Sequence, residues 1–132
     1  MNMKTSFAIL LCCFAFYVSE AQQSSTDSLL IGVWKGTSIC QVKNSPCHDE
    51  VVVYHISKSR GIDTFTIVAN KIVNGAEEEM GIIGFKFDKK NNQLVSNSYN
   101  STWTFNLKGR QLDGTLMARG ALYRIIKVSK QP

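Results

Sequence analysis

From Leu29 onward, hydrophobic and polar positions alternate with a period of two rather than 3.6. Turn signals interrupt the alternation every 8–14 residues. The spacing predicts eight strands: Ile31–Val42, Glu50–Ser57, Asp63–Val73, Glu78–Phe87, Gln93–Asn97, Thr102–Leu107, Gln111–Ala118 and Ala121–Ser129. Strong strand formers, Thr64 to Val68, open the third. Ser59-Arg60-Gly61, Asn74-Gly75, Asp88–Asn92, Lys108-Gly109-Arg110 and Arg119-Gly120 separate the later strands. Asn-Gly is a hairpin dipeptide, because both central residues of a type I′ turn need positive φ. No segment keeps helical spacing over ten residues. Connections this short join antiparallel neighbours, since a parallel crossover needs a dozen or more residues. A meander of eight twisted strands hides its edges best by closing on itself. The pattern therefore predicts an all-β chain, an eight-stranded antiparallel up-and-down β-barrel. Its bore is either filled with side chains or holds one small ligand.

The N-terminus breaks the pattern. Lys4 precedes 12 uninterrupted apolar or aromatic residues, Phe7 to Val18, and then Ser19-Glu20-Ala21. A positive start, a short apolar run and small residues before a cut are the marks of a signal peptide. The expected organisation is a leader over 1–21, cleaved after Ala21, a polar segment over 22–30, and one barrel domain over 31–132. The destination is the secreted or periplasmic space. No apolar run reaches the ~18 residues of a transmembrane helix. Of the 4 cysteines, Cys40 and Cys47 survive the cut. An even pair in an exported chain favours a disulfide. A metal pair would need a second Cys/His set that the sequence lacks.

Parity assigns faces to the strands. Trp103, Phe105 and Leu107 share one face, as do Ile83, Phe85 and Phe87, and Leu112, Gly114 and Leu116. On the last strand Leu122, Arg124, Ile126 and Val128 share the more apolar face, with an arginine in its middle. A buried guanidinium needs a partner. Trp34 lies between Gly32 and Gly36 on one face of the first strand, a neighbour of the last strand in a closed barrel. Arg124 laid across the Trp34 ring is one solution; Arg124 in solvent is the other. Phe65, Ile83, Phe85, Trp103, Phe105 and Leu116 are the candidate lining, with Ile67, Leu112 and Leu122 beside them and Tyr54 or Tyr99 near a mouth.

Gly32-Val33-Trp34, with Arg124 on the final strand, resembles the signature of the calycin superfamily, which includes the lipocalins, fatty-acid-binding proteins, avidins and some protease inhibitors. The resemblance implies a Gly-x-Trp that meets a basic residue of the final strand at the closed end, plugged by the segment before the first strand. At 111 residues after cleavage the chain is shorter than a typical lipocalin. It lacks the lipocalin middle motif and C-terminal helix, and the biotin-site pattern of avidins. Trp34 to Cys40 through Cys47-His48-Asp49-Glu50 is also similar to small secreted bacterial proteins of no assigned function.

Composition narrows the chemistry. A net charge of +5 is spread over many turns, with Lys86, Lys89 and Lys90 as the densest patch. No aromatic-interleaved stripe suggests nucleic acid. There is no phosphate loop and no nucleophile elbow, so neither an enzyme nor a cofactor is expected. His48, Asp49 and Glu50 read as a loop running into a strand, and Glu77-Glu78-Glu79 as a solvated rim, rather than as metal sites. Two functions remain. One is a secreted lipocalin-like barrel binding a small apolar ligand in its interior. The other is a solid barrel acting through rim loops, above all the Cys40–Cys47 loop, as a protein-binding module or protease inhibitor.

Overall fold

A computed structural model describes residues 26–98 and 100–132. The expected leader, its expected cut after Ala21 and Tyr99 lie outside the described residues. The chain forms eight strands: β1 (Gly32–Cys40), β2 (Glu50–Lys58), β3 (Thr64–Val73), β4 (Ala76–Asp88), β5 (Gln93–Ser98), β6 (Ser101–Lys108), β7 (Gln111–Ala118) and β8 (Ala121–Lys130). Each pairs antiparallel with the next, and β8 pairs with β1 to close an up-and-down barrel. The expected fold class is therefore the observed one. The Asn74-Gly75 turn has φ of 52° and 80°, so the chain enters β4 directly, two residues before the expected start. Gln41 and Val42, expected at the end of β1, belong instead to the loop.

One end of the barrel is closed. Residues 26–30 form a single helical turn that carries Leu30, fully buried, into the bore. The Trp34 indole N–H donates to the Leu30 carbonyl at 2.9 Å. Lys130 lies opposite Trp34 in the β1–β8 register. Its ammonium donates to the carbonyls of Ser28 at 2.7 Å and Leu29 at 3.2 Å. Burial, with the nearby Arg110 charge adding to it, holds the Lys130 ammonium below the usual lysine range.

This geometry corrects the expected pairing of Trp34 with Arg124. The ladder that sets Trp34 against Lys130 sets Arg124 against Cys40, at the other end of β1. Arg124 stands instead over the ring of its neighbour Tyr123, 5.5 Å from the centroid. The final strand does supply a basic residue to the closed end, and that residue is Lys130.

Above the plug the bore is packed. Trp34, Val52, Ile56, Phe65, Ile67, Phe85, Phe87, Leu94, Phe105, Leu112, Ile126 and Val128 form one buried cluster. Phe105 is its hub, in edge contact with Tyr54 at 6.0 Å and tilted against Phe85 at 5.7 Å. Gly114 lets that ring lie flat on β7: a Cβ there would stand 3.1 Å from Phe105 Cγ and closer still to the ring edge.

The open end is less regular. A bulge in β4 leaves Met80 unmatched between Gly81 and Glu79. A second leaves Tyr123 unmatched between Leu122 and Arg124. Each extra residue resets the alternation. Leu122, expected in the bore, is turned out and is 38% exposed. The pairing of β4 with β5 is short. It covers only Lys86↔Val95, Phe87↔Leu94 and Asp88↔Gln93, although β4 runs for 13 residues. Towards the open end the two strands splay apart and leave a gap in the wall.

Candidate functional site at the open end of the barrel

The inward positions of the open half differ from those of the closed half. Ser38, Glu50, Tyr54 and Arg124 form the polar part of the lining of a recess, and Ala69, Met80, Gly81, Ile83, Trp103 and Leu116 complete it. The recess has a volume of about 220 Å³. Below it, among Tyr54, Ile67, Phe85 and Phe105, no space is left that would admit a water molecule.

Arg124 organises the polar part of the lining. It enters the bore because the β8 alternation runs inward through Val128, Ile126 and Arg124 before the Tyr123 bulge. Its Nη1 donates to Ser38 Oγ at 3.2 Å, to the Ser38 carbonyl at 3.4 Å and to the His48 carbonyl at 3.1 Å. Glu50 Oε2 lies 3.6 Å from the same nitrogen, and both side chains are mostly buried. The guanidinium thus has a counter-ion and several acceptors, which a buried arginine requires. Tyr54 is 2% exposed. Burial, with the Glu50 charge adding to it and Arg124 opposing, pushes its phenol above the usual tyrosine range, so the group stays a neutral donor.

A strap crosses this end. Cys40 and Cys47 are disulfide-bonded, with Cα atoms 5.9 Å apart, the bond expected of an even pair. Asp49 accepts from the Cys40 N–H at 2.9 Å, and Arg124 holds the His48 carbonyl. The connection between β1 and β2 is therefore fixed to the rim at both its covalent and its polar ends. Replacing both cysteines with serine is expected to cost about 2–3 kcal/mol, the loop-closure entropy of so short a ring. Urea denaturation with and without reductant measures it.

The expected lining residues separate by depth. Ile83, Trp103 and Leu116 line the recess. Phe65, Phe85 and Phe105 are buried in the packed core beneath it. Ser38, Ala69, Met80 and Gly81 were not among the candidates. Parity already placed Ser38 on the Trp34 face, whereas the position of Met80 follows from the bulge. Elsewhere on the rim, Glu77 takes a hydrogen bond from His55 at 2.7 Å and another from Asn70 at 3.2 Å. These bonds, the His55 one first, hold its carboxyl below the usual range. Among the described residues no helix is long and apolar enough to cross a membrane. Compared with protein-family models, with curated proteins and with solved structures, the chain finds no match.

Proposed function

We propose that the protein is an exported, lipocalin-like binding barrel that holds a small, mainly apolar ligand at the open end of its interior. The recess carries this reading. Its lining combines apolar Ile83, Trp103 and Leu116 with a few polar groups on Arg124, Glu50, Ser38 and Tyr54, the usual composition of a small-molecule site. The packed core supports the placement, because the bore beneath has no room for a guest. The Cys40–Cys47 disulfide and the leader-like N-terminus support export.

The test is a titration with 1-N-phenylnaphthylamine, paired with native mass spectrometry of protein purified from an exporting host. The expected result is saturable one-to-one binding that quenches Trp103, since Trp34 is buried at the far end. Leu116→Trp, which fills the recess, should weaken it at least tenfold. An empty protein that binds no dye would remove the reading. It would leave the strapped Cys40–Cys47 loop, as the surface of a protein-binding module, to be tested by pull-down with Lys43 or Pro46 substituted.

A further inference from the structure

The recess and the gap where β4 and β5 part both lie in the open half of the barrel. They share two walls, Ile83 and Trp103. The gap is the larger space, about 520 Å³, bounded by Ile82, Ile83 and Gly84 on β4, Ser96, Asn97 and Ser98 on β5, and Ser101 and Trp103 on β6. Ile82 is 65% exposed beside it, and a Cβ on Gly84 would meet nothing within 4 Å.

Size sets the path of a guest. The recess, at about 220 Å³, is smaller than the roughly 300–1,000 Å³ of sites for drug-sized ligands. A longer molecule cannot continue down the bore, which is closed by Phe85 and Phe105. A lateral way out for its remaining length runs past Trp103 and Ile83, the two residues that line both spaces.

Charge sets the head group. The hydrogen bonds and the ion pair of Arg124 named above all use Nη1, so among the described residues its Nε and Nη2 hydrogens remain as further donors. Glu50 already balances the guanidinium, so Arg124 and Glu50 together carry no net charge. A ligand carboxylate would bring a second anion to one cation, and a ligand ammonium a second cation to one anion. Both are disfavoured in a desolvated site. A neutral group with an acceptor for Arg124 and a donor for Glu50 meets neither penalty.

We propose that the recess and the gap form one bent site for an elongated, uncharged amphipath, whose amide-like or alcohol head lies against the Arg124–Glu50 pair, accepting from one and donating to the other, and whose alkyl chain leaves sideways between β4 and β5. The proposal rests on the recess being the ligand site.

The experiment is competition against bound 1-N-phenylnaphthylamine at pH 8 with hexanamide, dodecanamide and dodecanoate. Dodecanamide should bind at least tenfold tighter than both others. Gly84→Trp should erase most of the gain of dodecanamide over hexanamide while leaving hexanamide within about twofold. Ser98→Trp, which obstructs the same gap from the opposite strand, should do the same and serves if the first variant does not fold. Glu50→Gln leaves Arg124 without its counter-ion and should shift the preference at least tenfold towards dodecanoate. A chain-length gain that survives both tryptophans overturns the lateral path. Dodecanoate binding as tightly as dodecanamide to the unaltered protein overturns the head-group assignment. In both cases the dye still binds, and the recess stands as the ligand site. Failure of the dye itself removes the recess and this proposal together.

Discussion

Replacing Trp34 with alanine is expected to destabilise the protein by about 3–5 kcal/mol, the range for deleting a fully buried large aromatic side chain. Trp34 is fully buried, and two losses coincide there. The cavity opens at the floor of the barrel, under Leu30 and against the ends of β1 and β8, where the ladder has little freedom to collapse inward. The Leu30 carbonyl also loses the indole N–H that it accepts at 2.9 Å, leaving the plug held by Lys130 on the adjacent carbonyls. Trp34→Phe separates the two effects, because it keeps most of the ring and loses the bond. It should cost clearly less than the alanine variant. Urea denaturation followed by far-ultraviolet circular dichroism measures both. A cost under about 1 kcal/mol for Trp34→Ala would be too small for a buried aromatic, and would mean that Trp34 does not form the floor.

Gly36→Ala is expected to cost about 3 kcal/mol or more, at or beyond the upper end for overpacking. A Cβ at Gly36 would overlap the Lys127 carbonyl oxygen and stand 2.8 Å from both the Lys127 carbonyl carbon and Val128 Cα. These are backbone atoms of β8, paired with β1 in the seam that closes the barrel. They cannot step aside without parting the seam. Gly84→Ala is the control. Its Cβ would enter open space, so the change should stay within about 0.5 kcal/mol, as for most surface substitutions. Thermal melts of the two variants should diverge sharply. Equal and small effects would mean that β1 and β8 do not approach as closely as the closed barrel requires.

Gly36 and Gly84 are alike in the sequence and opposite in their surroundings. Alternation placed every strand, because a half-buried strand repeats its apolar side chain every second residue. It put Trp34, Gly36 and Ser38 on one face, and the structure puts Trp34 and Ser38 inside. Alternation does not carry register. An antiparallel meander that closes must set the start of β1 against the end of β8, so the basic residue opposite Trp34 had to lie near the C-terminus. Lys130 shares parity with Arg124 and meets that condition; Arg124, six residues earlier, does not. Depth is also a matter of register. Phe65, Phe85 and Phe105 point inward as their parity required, yet stagger between strands sinks them below the recess that Ile83 and Trp103 line. The bulges at Met80 and Tyr123 each shift the count by one residue, and no local composition marks them. The β4–β5 gap was the least accessible feature. It depends on where a long strand stops pairing with a short one, and the sequence shows only that β5 is short.

Guests are expected in the open half of the barrel and not in its solid closed half. A ¹⁵N–¹H correlation titration of the purified protein with 1-N-phenylnaphthylamine tests it most directly. Saturable shifts are expected at Ser38, Glu50, Gly81–Gly84, Ser96, Trp103, Leu116 and Arg124, with Leu30, Trp34 and the Trp34 indole N–H unmoved. Shifts centred on Trp34, or no saturable shifts in the bore at all, would contradict it.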